Sequence, residues 1–134
     1  MNSLLQEALM GTRHISHAGI IRQKDGVIKA KSPNFLLVPT DLAKIEAAFE
    51  HPRDARSGDS SISFLDIPYR AVRADSLSIY AKNDKAGIII SKTIQHYIIA
   101  VYDSTMYPSI AVEAVEKLGK LSKSMFAKYI QHMI

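Results

Sequence analysis

Apolar positions along this chain follow two rhythms, one helical and one alternating. Leu4, Leu5, Ala8 and Leu9 recur at helical spacing and Gly11 supplies a stop, so residues 3–11 read as a helix. Residues 16–22, Ser-His-Ala-Gly-Ile-Ile-Arg, read as a strand. Asp25-Gly26 is a hairpin turn signal, residues 27–31 follow as the partner strand, and Ser32-Pro33-Asn34 breaks the pattern. Thr40 stands where its hydroxyl can cap a helix running to about Phe49, with Leu42, Ile45 and Phe49 on one face. A polar loop with Pro52 and Gly58 is expected over 51–60.

Strands then follow in quick order at 61–65, 69–74, 77–81, 87–92 and 95–102. The links hold Asp66, Pro68, Asp75, Asn83-Asp84 and Gly87, residues that favour turns. Links this short imply an antiparallel meander. Pro108 suits the first turn of a final helix whose buried stripe is Ala111, Val115, Leu118 and Leu121. The fold class is therefore α+β. A central antiparallel sheet of about seven strands carries N- and C-terminal helices on one face and a shorter helix on the other.

Charge changes the picture in one respect. The net charge is +4, yet residues 1–68 hold eight basic and eight acidic side chains, whereas 69–134 hold nine and five. The excess comes from the strands around 69–92 and from a lysine-bearing segment after 116. Arg70, Arg73, Lys82, Lys85 and Lys92 lie on neighbouring strands or turns and suit an anionic partner. Each Lys or Arg near an anionic membrane surface is worth about 1 kcal/mol. Strict alternation would place Arg70 and Arg73 on opposite sheet faces. With 134 residues and 47% apolar, the chain is read as one domain with a real core. No cysteine is present, which excludes disulfides and cysteine-ligated zinc. The opening residues lack the basic lead and apolar run of a signal peptide.

Several segments together resemble the profilins, small proteins of the actin cytoskeleton. They are Leu9-Met10-Gly11-Thr12, Ala18-Gly19-Ile20-Ile21, Asp25-Gly26, residues 30–35 (Ala-Lys-Ser-Pro-Asn-Phe), Arg73-Ala74-Asp75, Tyr80-x-Lys82, Gly87 to Lys92-Thr93, Val101-Tyr102-Asp103 and Val115-Glu116-Lys117-Leu118. The likeness covers roughly 3–122. Residues 11–15, Ala81-Lys82-Asn83 and 106–110 are similar to the divergent fourth, testis-type branch of that family.

The resemblance implies a cytoplasmic, non-catalytic protein that binds actin monomers, proline-rich segments and phosphoinositides. Arg73, Lys82, Lys92 and Glu116 match positions of the family's actin face. The last helix departs, with Ser109-Ile110-Ala111-Val112-Glu113 where the family often has Gly-Gln-Cys-Asn and a polar or basic residue. Actin binding is therefore expected to be weakened. The family's polyproline platform stacks aromatic rings on a preformed helix. By alignment its rings become Met1, Leu4, Lys29 and Leu121 here, so polyproline binding is expected to be lost. Acidic phospholipids are the expected second partner, bound through Arg70, Arg73, Lys82, Lys85 and Lys92. An adaptor that binds neither actin nor polyproline is the alternative.

No metal, cofactor, nucleic-acid partner or enzymatic role is expected. His14 and His17 are an odd number of residues apart and would face opposite ways on a strand. Neither a nucleophile motif nor a glycine-rich phosphate loop occurs. Beyond Leu121, residues 123–134 form an extension in which Met125, Phe126, Tyr129, Ile130, Met133 and Ile134 alternate with lysines. Two readings fit it: a basic amphipathic helix for a membrane or a partner's groove, or a segment that folds back over the first helix.

Overall fold

The computed structural model describes residues 2–57 and 61–121. Its centre is one seven-stranded antiparallel sheet, ordered β2-β1-β7-β6-β5-β4-β3. The strands are β1 (His17–Arg22), β2 (Ile28–Lys31), β3 (Ser61–Phe64), β4 (Ile67–Ala74), β5 (Ser78–Lys82), β6 (Gly87–Lys92) and β7 (His96–Tyr102). From β3 to β7 each strand pairs with its successor, the meander that the short links require. β1 then pairs with β7 along its whole length, from His17 opposite Val101 to Arg22 opposite His96.

Helices cover both faces, so the middle strands are apolar on both sides. Along β7, Tyr97, Ile99 and Val101 join one core, and Ile98, Ala100 and Tyr102 the other. The first core is closed by α2 (Pro39–Glu50) and α3 (Pro52–Arg56). The second is closed by α1 (Asn2–Ala8) and α4 (Pro108–Leu121), which bury Leu5, Leu9, Ala111, Val115 and Leu118. Each such leucine or valine fully removed from water contributes about 1.5–3 kcal/mol. α4 lies very close to the sheet: a Cβ on Gly119 would stand 2.3 Å from Ser91 Oγ.

Several expectations need correction. The first helix ends at Ala8, and Met10–Thr12 form a separate 3-10 turn closed by Arg13 in the left-handed region (φ 66°). Thr40 caps nothing. Pro39, with its φ already fixed for a helix, opens α2 after Val38, and Thr40 falls inside the first turn. Part of the expected 51–60 loop is helix α3, which buries Ala55 and lets Arg56 Nη1 donate to the Ala74 carbonyl at 2.6 Å. The face opposite the terminal helices thus carries two helices, and α2 is longer than α1. Leu121, expected in the buried stripe of α4, is 44% exposed. The proposed extension 123–134 lies outside the described residues.

Candidate functional site

Basic side chains gather where β4 runs beside β5. Arg70 lies opposite Lys82, and Arg73 lies opposite Tyr80. In a regular strand, residues three apart point to opposite faces. Val72 is instead an extra residue, and the register shifts between Ala71 and Arg73 in a β-bulge. The insertion lets Tyr69, Ala71 and Ala74 all reach the α2–α3 core while Arg70 and Arg73 stay exposed. Arg70, Arg73, Tyr80 and Lys82 therefore share the α4 side of the sheet. Regular alternation would have separated the two arginines; the bulge unites them.

Arg73 bridges to α4. Its Nη1 donates to Glu116 Oε1 at 3.0 Å, and its Nε stands 3.9 Å from Asp75 Oδ2. With the Arg73 side chain 55% exposed, such a pair contributes about 0.2–1 kcal/mol. Asp75 also accepts from the backbone N–H groups of Leu77 and Ser78, each at 2.8 Å. Burial opposes the Asp75 charge, but these N–H groups and Arg73 outweigh it and hold the carboxyl below its usual range.

Among the described residues, Arg70, Lys82 and Lys85 have no acidic partner within 4 Å. Lys85 sits in a turn built by Asn83, whose side-chain oxygen accepts from the N–H groups of Lys85 at 3.1 Å and Ala86 at 2.9 Å. That turn borders a hollow of about 340 Å³ whose walls include Lys82, Lys85, Asp84 and Asp103. Two acids and two lysines share these walls, so Arg70, outside the hollow and facing Lys82, supplies the surplus positive charge. Within the same walls the Tyr80 and Tyr102 hydroxyls are 2.6 Å apart. Burial and the Tyr80 hydroxyl push the Tyr102 phenol well up, which keeps it protonated and able to donate. The ring of Tyr102 lies where a side chain on Gly87 would stand; a Cβ there would meet it at 2.3 Å.

Lys92 does not join this group. Its ammonium stands 5.8 Å from the centre of the Phe49 ring, on the α2 side. It also ends β6, whereas the partner of Lys82 is Gly87 at the opposite end of that strand. The sheet itself separates Lys92 from Arg70, Arg73 and Lys82. Closeness in sequence does not decide the face; register and alternation do.

A groove of about 450 Å³ runs between α1 and α4. Leu4, Ala8, Ile110, Ala114, Leu118 and Leu121 line it, together with Glu7, Thr12, Glu113 and Lys117, and among the described residues no aromatic ring is in its walls. Two of the four expected platform positions, Leu4 and Leu121, meet here. Lys29 is on β2 and does not line the groove, and Met1 lies outside the described residues.

The histidines have local roles. His14 stacks on Tyr107 with ring centres 5.3 Å apart, and its Nδ1 accepts from the Tyr107 N–H at 3.0 Å. His17 meets the edge of Phe64 at 5.6 Å. Among the described residues, no group of three His, Asp or Glu side chains is placed to hold a metal ion.

A family model described as Profilin matches residues 1–125. The chain belongs to the profilin family. Profilin-4 of Mus musculus is 36% identical over 121 residues, which is 90% of this chain and 92% of that relative. It stands in the fourth branch, the one the motifs resemble. The solved profilin IA of Acanthamoeba castellanii gives a TM-score of 0.78 at 29% identity, covering 89% of this chain and 93% of that one. LokiProfilin2, solved in complex with rabbit actin, shares the fold with a TM-score of 0.69 at 19% identity, over 92% of this chain and 96% of its own. The profilin motifs pointed to the β4–β5 cations and to Leu4 and Leu121 but gave no sign of the Val72 bulge. One signal for it was present: Ala71 and Ala74 are small apolar residues three apart, a spacing that a half-buried strand cannot bury without an insertion.

Proposed function

We propose that this profilin is a non-catalytic, cytoplasmic binding protein of the actin cytoskeleton. It binds actin monomers weakly, binds acidic phospholipid surfaces through its basic strands, and has lost polyproline binding. The observation that carries the proposal is the facing pair Arg70 and Lys82, exposed and without an acidic partner among the described residues, on the same side as Arg73. Two to three cations at about 1 kcal/mol each give shallow, salt-sensitive attachment to anionic lipid, weaker than five would give. The lack of a ring among the described walls of the groove supports the loss of polyproline binding, because aromatic anchors typically carry about 2 kcal/mol or more apiece.

Family membership supports actin as a partner. Weak engagement is supported by the start of α4, where the chain has aliphatic Ile110 and Val112 and the acid Glu113 at positions that the family resemblance makes polar or basic. One observation favours the adaptor reading: Arg73 and Glu116, both matched to the actin face, already satisfy each other at 3.0 Å. Three measurements made side by side test these readings. Excess protein is expected to slow spontaneous actin assembly modestly and to pellet with phosphatidic acid or phosphoinositide vesicles at low salt. It should give no micromolar signal with a long polyproline peptide. Unchanged assembly without co-migration with monomeric actin selects the adaptor, and no pelleting at low salt removes the lipid surface.

A further inference from the structure

Ser76 stands between β4 and β5 at the tip of a turn, outside both cores. We propose that it is a phosphorylation site for an arginine-directed serine kinase, and that its phosphate takes over Arg73 and lowers the positive charge of the basic surface. The site rests on the turn alone. Its effect on vesicles rests on the lipid reading of the basic strands.

Sequence narrows the choice of hydroxyl and structure makes it. A kinase that reads charge looks for a basic residue at a fixed distance before the hydroxyl it modifies. Three Ser or Thr residues of the chain have Lys or Arg three positions earlier: Ser16 after Arg13, Ser32 after Lys29 and Ser76 after Arg73. Ser32 is 2% exposed, and its Oγ accepts from the Ala18 N–H at 2.9 Å. Ser16 is half-buried and donates to the Val101 carbonyl at 3.0 Å. Ser76 is exposed, and its hydroxyl has no hydrogen-bond partner among the described residues.

The flanking residues fit an enzyme cleft. The Arg73 side chain is 55% exposed, held on the surface by the Val72 bulge. Leu77, the next residue after the serine, is 50% exposed and belongs to neither core, so it is free to enter an apolar pocket. The tip is closed by the N–H of Asp75 on the Ser78 carbonyl, by the Leu77 and Ser78 N–H groups on the Asp75 carboxylate, and by the Lys92 N–H on the Leu77 carbonyl. So short an exposed turn can open locally, as an extended substrate must, while the sheet stays folded.

The chemistry is a phosphoryl transfer from ATP. Ser76 Oγ bonds to the γ-phosphorus as the bond from that phosphorus to the bridging oxygen breaks. ADP leaves, and the hydroxyl proton passes to the base of the kinase. The product carries about −1.5 to −2 at neutral pH. Asp75 already stands 3.9 Å from Arg73 Nε, so a phosphate one residue further on lies within roughly a Debye length, about 8 Å, of that guanidinium. There it competes with Glu116 for Arg73. Arg70 and Lys82 sit toward the other end of these strands and feel the phosphate mainly at low salt.

The test uses the full-length chain, magnesium–ATP and purified, activated calmodulin-dependent protein kinase, with the modified residue located by mass spectrometry. Phosphate is expected on Ser76 and should vanish in Ser76→Ala. Arg73→Gln, with its fold checked by circular dichroism, should lower kcat/KM about tenfold or more. No incorporation, incorporation only at Ser16, Ser57 or another hydroxyl, or an unchanged kcat/KM for Arg73→Gln overturns the site. Modification should also shift the Arg73 Nε–H resonance and weaken vesicle binding about tenfold at low salt. A phosphorylated Ser76 that leaves that resonance in place, or a phosphoprotein that pellets as well as the unmodified one, overturns the claimed effect. If the unmodified protein fails to pellet at all, the lipid reading falls, while the position of the phosphate and the Arg73 resonance still decide this proposal.

Discussion

The α1–α4 groove and the β4–β5 surface lie on the same side of the sheet, yet they offer a partner different chemistry. The described walls of the groove are mostly aliphatic, and Leu4 and Leu121 are two of the positions at which the family resemblance expects stacking rings. The strands keep their cations, with Arg70 and Lys82 side by side. The contrast follows from the physics of each contact. Stacking needs a flat ring at a fixed position and orientation, so one aliphatic replacement removes it. A charge acts over several ångströms, so a basic strand tolerates changes around it as long as the sign and the face are preserved.

The sharpest way to break the comparison is through stability. Leu5 is 1% exposed and packs α1 into the core, so Leu5→Ala should cost about 3 kcal/mol in urea unfolding. Arg70→Ala should cost less than about 0.5 kcal/mol in the same experiment. A small loss at Leu5 would mean that α1 is not fixed by burial. Next comes charge. Lys82→Glu should weaken vesicle binding by about 2 kcal/mol, near 30-fold, and the difference should shrink as salt rises. Lys92→Glu, on the other face, should change it far less. Glu116→Gln removes the nearer of the two acids beside Arg73, leaving Asp75 at 3.9 Å, and should strengthen vesicle binding up to about fivefold, at most the equivalent of one more available cation. The Arg73–Glu116 coupling itself should measure below about 1 kcal/mol in a double-mutant cycle of unfolding.

The smallest expected effect at neutral pH concerns His96. Its ring is 2% exposed, its Nε2 has no hydrogen-bond partner, and burial, with Lys29 and Arg22 nearby, pulls its pKa below 6.5. The unfolded chain therefore takes up the proton first as pH falls. The stability is complete above about 6.5 and is lost between that value and the lower folded one. Unfolding midpoints at pH 7.5 and 5.5 should differ in that sense, and His96→Gln should remove that part of the difference. A midpoint that rises on acidification would contradict this sign.

Much of the architecture was legible because burial on two faces writes itself into the strands. Runs such as Ile88-Ile89-Ile90 and Ile98-Ile99-Ala100-Val101 leave little choice but a sheet covered by helices. Element starts were less so. Pro39 and Pro52 each open a helix, but proline also breaks helices, and only the packing of Ile45, Phe49 and Ala55 selects between the two. Of the binding residues, the identities were readable and the sides were not. Lys92 looked like a neighbour of Lys82 because both flank short strands. Its face depends on a count of residues through β6, and its position depends on which end of that strand it closes. Leu121 looked like core because it continues the spacing of Leu118, yet by that turn the helix has outrun the surface that covers it.

The bulge at Val72 carries a wider lesson for comparing relatives. A chain that lacked this one residue could retain every lysine and arginine named above and still turn its guanidinium away from α4. Tallies of matching side chains would score the two chains as equal at this surface, although a ligand would meet different landscapes. The spacing between two alanines, not the inventory of cations, sets what this face offers to a partner.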